Sequence, residues 1–146
     1  MKQIILYAFT FLIVVNATAQ SEVFAPRGIA INGYDPVAFF KEASAKKGSS
    51  MYPYKYKEAT WLFESKENRD AFMNMPEKYT PQYGGFCAYG TSEGHKAPTQ
   101  PDTWTIVNDK LYFNYNKQVK QMWEKDQAHL IIVADQKWPD VKLTKE

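Results

Sequence analysis

Apolar and polar positions divide this chain into stretches of different period. Ile4 to Val15 is an almost unbroken apolar run, and no later segment approaches its length. From Met51 the period is two. Tyr52, Tyr54 and Tyr56 fall on one face, Lys55 and Lys57 on the other, and Trp61 and Phe63 resume the alternation after Glu58-Ala59, which predicts a β-hairpin. Trp104–Val107 and Leu111–Tyr115 predict a second hairpin across Asn108-Asp109, a dipeptide that tolerates the left-handed region. Helical signals lie between and after them. Asp35-Pro36 has the form of a helix start with Val37, Phe39 and Phe40 on the buried side. Ser65 caps a helix running to about Met75, with Ala71, Phe72 and Met75 inward, and Pro76 ends it and opens one more turn to Tyr79. Asn116 caps a helix carrying Val119, Met122 and Trp123 inward. Asp126 starts another, with Leu130, Ile131, Ala134 and Trp138 on one stripe.

The connecting segments are predicted as follows. Gly28–Ile31 is a short extended stretch leading into an Asn32-Gly33-Tyr34 turn, and Lys41–Ser50 is a polar surface loop. Gly84-Gly85 and Cys87 lie on a turn-to-strand segment, and Thr91–Pro101 is a loop. The expected fold class is α+β: a small twisted antiparallel sheet built from the two hairpins, packed by short helices. Without repeats or a long linker, residues 20–146 suit a single domain.

Residues 1–19 have the form of a signal peptide: Lys2, then the apolar run, then the A-x-A pattern Ala17-Thr18-Ala19. The run is short of the ~20 residues that span a bilayer, and Gln20 stands where a lipid anchor would need a cysteine. The expectation is a soluble secreted or periplasmic protein without membrane insertion. The leader holds one of the 18 basic residues and none of the 16 acidic ones, leaving the remainder almost neutral. Nucleic acid is not an expected partner, because its binding calls for a clustered basic face.

Export makes the single cysteine conspicuous, since thiols in an oxidising compartment normally pair. Cys87 is therefore buried, liganded, joined to another molecule, or reactive. Thiolate and imidazole suit copper or zinc, so Cys87 with His95 is one candidate metal site, with a second chain in a homodimer completing the coordination. Cys87 as a small buried hydrophobe and His95 as a loop residue is the alternative. Aromatics are abundant (10 Tyr, 9 Phe, 4 Trp), and Tyr83, Gly84, Gly85, Phe86 and Tyr89 form either a ring-lined ligand pocket or plain core. A cysteine nucleophile would need His95 or His129 in reach of Cys87 and a group orienting the imidazole, for which Asp35, Asp102 and Asn108 are candidates. Enzymatic activity ranks last. The leading expectation is a non-enzymatic extracytoplasmic binding protein using Cys87 for a soft metal. Its alternative is an aromatic-pocket module for a small ligand or a protein, with Cys87 structural.

Several segments together resemble the exported branch of the YHS-domain family: Asn32-Gly33-Tyr34-Asp35-Pro36-Val37-Ala38-Phe39-Phe40, Trp61-Leu62-Phe63-Glu64-Ser65, and Phe72 through Pro76-Glu77-Lys78-Tyr79. Pro81-Gln82-Tyr83-Gly84-Gly85-Phe86-Cys87-Ala88, the Trp104–Tyr115 segment and Ala134-Asp135-Gln136-Lys137-Trp138-Pro139 extend the likeness. It implies a small α+β domain. The family's shorter intracellular modules, found beside metal-transport ATPases and some oxygenases, resemble metal-binding units with cysteines after Asp-Pro-Val and on either side of the helix start that follows the Phe. Ala38, Glu64 and Asn68 stand in those places here, so that metal role does not carry over to them.

Overall fold

The computed structural model describes residues 20–146. The signal peptide expected over 1–19 lies outside the described residues. Helix α1 (Pro36–Lys41) begins where Asp35 caps it, the carboxylate Oδ1 accepting the amides of Val37 at 2.8 Å and Ala38 at 3.3 Å. Strands β1 (Ser49–Tyr56) and β2 (Ala59–Phe63) pair antiparallel with Tyr54 opposite Trp61. Their turn residues Lys57 and Glu58 are both left-handed (φ 48° and 60°), which matches the twist of the flanking strands. Helix α2 (Lys66–Asn74) is capped by Ser65, whose Oγ accepts the Asn68 amide at 3.1 Å, and α3 (Pro76–Tyr79) follows with proline at its first position.

Helix α4 (Ala88–Glu93) leads to the second hairpin, β3 (Thr105–Val107) and β4 (Lys110–Tyr112), joined by left-handed Asn108 and Asp109. Helix α5 (Lys117–Glu124) is capped by Asn116, and α6 (Gln127–Val141) completes the described fold. The fold is α+β, with two antiparallel hairpins packed by short helices. The hairpins remain separate two-stranded sheets rather than one. Each gains a one-residue parallel bridge, Ile29 beside Thr60 and Cys87 beside Phe113.

Alternation along the end of the second hairpin joins two cores. Leu111 and Phe113 point into a larger core with Val37, Phe39, Trp61, Phe63 and Phe72. Tyr112 points into a smaller one with Tyr83, Ala88, Trp123 and Ala134. Phe72 sits among Tyr54, Tyr56, Trp61 and Phe63, with ring centroids 5.1–6.1 Å away.

Three local expectations change. Gly28–Ile31 is not extended. Two 3-10 turns, Pro26–Gly28 and Ala30–Gly33, occupy that region, with Arg27, Ile31 and Asn32 left-handed and Ile29 alone bridging a strand. The first turn of the expected Thr91–Pro101 loop belongs to α4. Met75 and Met122, expected inside, are 51% and 43% exposed. Met75 falls outside helical phase as the cap residue of α2 (φ −141°, ψ 66°), and Met122 lies off the stripe on which Trp123 is buried.

Candidate functional site

Tyr83, Gly84 and Gly85 form a left-handed run (φ 55°, 63° and 90°). The two glycines have different reasons. A β-carbon on Gly84 would fall 1.8 Å from the carbonyl oxygen of Glu22, so the N-terminal segment can cross only against a bare α-carbon. A β-carbon on Gly85 would meet Ile31 Cγ2 at 2.6 Å. Phe24 ties the two left-handed runs together: its amide donates to the Gly84 carbonyl at 3.0 Å, and its carbonyl accepts the Ile31 amide at 2.8 Å. Packing of three chain segments thus accounts for the glycine pair.

This turn contributes to a cleft of about 420 Å³. Tyr83 and Gly84 line it with Tyr56, Lys57, Asp135 and Trp138, and Glu22, Glu77 and Lys110 add charges of both signs. The Tyr83 hydroxyl donates to Asp135 Oδ1 at 2.8 Å, and its ring meets Trp138 edge-on with centroids 5.9 Å apart. Burial, then the Asp135 carboxylate, pushes the Tyr83 phenol well above the ordinary tyrosine range. Burial likewise pushes Tyr112 up to about 12. Glu22 lies 3.6 Å from Lys57 and 3.4 Å from Lys142. Lys110 makes no ion pair among the described residues.

Cys87 is 1% exposed and serves α4 as its N-cap. Its Sγ accepts the Gly90 amide at 3.4 Å, and the thiol donates to Asn114 Oδ1 at 3.6 Å. The same oxygen accepts the Tyr89 amide at 3.2 Å. Asn114 Nδ2 is buried with no hydrogen-bond partner among the described residues, and as an N–H donor it offers nothing to a cation. Desolvation raises the Cys87 pKa, with the Gly90 amide opposing it, so the thiol stays protonated near neutrality.

His95 is exposed in the loop after α4. Gly90 separates it from Cys87: the Gly90 amide faces the thiol, and a β-carbon on Gly90 would lie 3.3 Å from His95 Nε2. No hydrogen bond joins thiol and imidazole among the described residues, and no group of three or more His, Cys, Asp or Glu side chains there could hold a metal ion. His129 is exposed on α6.

Of the pocket candidates, Tyr83 and Gly84 line the cleft, Tyr83 while also buried in the smaller core; Gly85 and Phe86 are buried and do not line it, and Tyr89 packs against the smaller core. Sequence reasoning missed Asp135, Lys57, Lys110 and Glu77, and placed Trp138 on a core stripe only. One signal was available. Asp135 falls at helical spacing from Ile131 and Trp138, so it puts a carboxylate on the apolar face of α6.

Ala38, Glu64 and Asn68 do come together, around the buried carboxylate of Asp35. Oδ1 accepts the Ala38 amide, while Oδ2 accepts the Glu64 amide at 2.9 Å and Asn68 Nδ2 at 2.8 Å. Those three positions thus meet in a hydrogen-bonded knot that joins α1, β2 and α2. Among the described residues no helix is long and apolar enough to cross a membrane. No protein-family model, curated protein or solved structure matches the chain.

Proposed function

We propose that this protein is a non-enzymatic extracytoplasmic binding protein whose ligand site is the cleft floored by Tyr83 and Gly84, with Cys87 a structural residue. One observation carries the reading. A tyrosine is held in the left-handed region at the cleft, with its hydroxyl fixed on Asp135 and its ring on Trp138. Side-chain-bearing residues in that region are uncommon and cluster at binding sites. The lining joins aromatic surface to carboxylates and ammonium groups, which suits a small polar solute carrying both signs of charge. The raised pKa values of Tyr83 and Cys87 leave both poor proton donors or nucleophiles at neutral pH, which supports binding over catalysis.

Copper or zinc binding through Cys87 is the competing reading. It requires a buried, protonated thiol to give up its cap on α4 and be exposed to an ion, with His95 reached around Gly90. The geometry favours the cleft. The test is a titration with amino acids, followed by amide NMR shifts. Saturable shifts at Tyr83, Gly84 and Lys110 that persist in Cys87→Ala support the reading. Saturable shifts confined to the surroundings of Cys87 sink it.

A further inference from the structure

We propose that a second cleft, of about 330 Å³, binds a small organic anion: a carboxylate or phosphate group carried on an apolar body. It shares no lining residue with the first. Its charged lining residues are Arg27 and Lys47, both cationic, while Pro26, Ile29 and Leu62 supply apolar surface. Carboxylates and ammonium groups both line the first cleft, whereas the charges lining the second are of one sign.

Both cations are placed rather than merely nearby. Lys47 Nζ donates to the Asn32 carbonyl at 3.0 Å and stands 4.7 Å above the centre of the Tyr34 ring, which leaves ammonium protons free to meet a ligand. Arg27 is exposed, and its side chain makes no ion pair among the described residues. Its backbone is nonetheless held left-handed (φ 56°, ψ 28°), in a turn closed by the Gly28 amide on Ala25 and the Ile29 amide on Pro26. The guanidinium is left exposed, with its planar fork open to a bidentate anion. The wall is rigid. The Gly48 amide donates to the Gly33 carbonyl at 2.8 Å, and a β-carbon on Gly48 would fall 2.4 Å from the Leu62 carbonyl.

The experiment is an amide-shift NMR titration with phenyl phosphate, benzoate and the neutral control benzyl alcohol. Saturating shifts at Arg27, Gly33 and Gly48 are expected for one or both anions and not for the alcohol, and which anion is tighter identifies the head group. Arg27→Asn removes the charge but keeps a residue that tolerates the left-handed region, so the fold and its melting temperature should hold while affinity falls about tenfold or more. Lys47→Gln should weaken binding in the same direction. Failure of both anions to saturate, equal binding of the alcohol, or unchanged affinity in Arg27→Asn each overturns the proposal. Shifts at Tyr83 and Gly84 report on the first cleft in the same spectra, so the two sites fail or succeed separately.

Discussion

Gly85 lies so close to Ile31 that a β-carbon on it would fall 2.6 Å from the isoleucine Cγ2. The two residues belong to separate left-handed runs, Ile31–Gly33 and Tyr83–Gly85, brought together across the backbone of Phe24. This junction sets the floor of the first cleft, because Tyr83 and Gly84 can present themselves there only while Gly85 stays pressed on Ile31.

Alanine at Gly84 or Gly85 adds left-handed strain and a collision, with the Glu22 backbone or with the stiff Ile31 side chain. Each substitution is expected to destabilise the protein by about 2–5 kcal/mol. Gly84→Ala should cost more, because its clash is with main chain. Urea denaturation of the two variants checks both the size and the order.

The capping signals were legible in the sequence. Asp35, Ser65 and Asn116 each precede a helix and each accepts an amide of its first turn, and Asn108-Asp109 makes the turn its composition requires. These features are local. What could not be read depends on partners far away in sequence. Ile31 and Tyr83 are unpromising residues for positive φ, and their two turns are tied together by the main chain of Phe24, which bonds to Gly84 and to Ile31. Helix α4 contains a glycine and takes a thiol as its cap, so no ordinary capping residue announced it. The first cleft draws on segments near residues 22, 57, 80, 110 and 135, a set no spacing rule connects.

Cys87→Ser places a hydroxyl in a site sized for sulfur, against the Gly90 amide and Asn114 Oδ1. The expected loss is about 1–3 kcal/mol. Alkylation of the native thiol should be slow at neutral pH and become fast on unfolding, which a maleimide time course with and without denaturant reads directly.

Alkaline pH should destabilise the protein through its buried phenols. The folded-state pKa values of Tyr83 and Tyr112 lie above the ordinary 10.0, so the native state holds protons that the unfolded chain releases. Their contribution is complete below pH 10 and is lost as pH rises beyond it. Tyr83→Phe should be less stable at neutral pH by about 1 kcal/mol, with a shallower alkaline decline. Melting temperatures from pH 7 to 11 compare the two slopes.

Lys96 is buried, with Nζ donating to the carbonyls of Ser21 at 2.9 Å and Thr144 at 2.8 Å and lying 5.1 Å from the centre of the Phe86 ring. Lys96→Met keeps the stem but strands both carbonyls, at an expected cost of about 1–3 kcal/mol. Hydrogen exchange should rise at Val23 and Thr144 before it rises in the larger core.

Cys87 caps α4, the proposed reading gives it no part in metal binding, and metal loading tests that most directly. Protein and Cys87→Ser are each incubated with copper(I) or zinc under reducing conditions, desalted, and analysed for bound metal. The same low content in both is the predicted result. A full equivalent per chain that disappears in Cys87→Ser would contradict it.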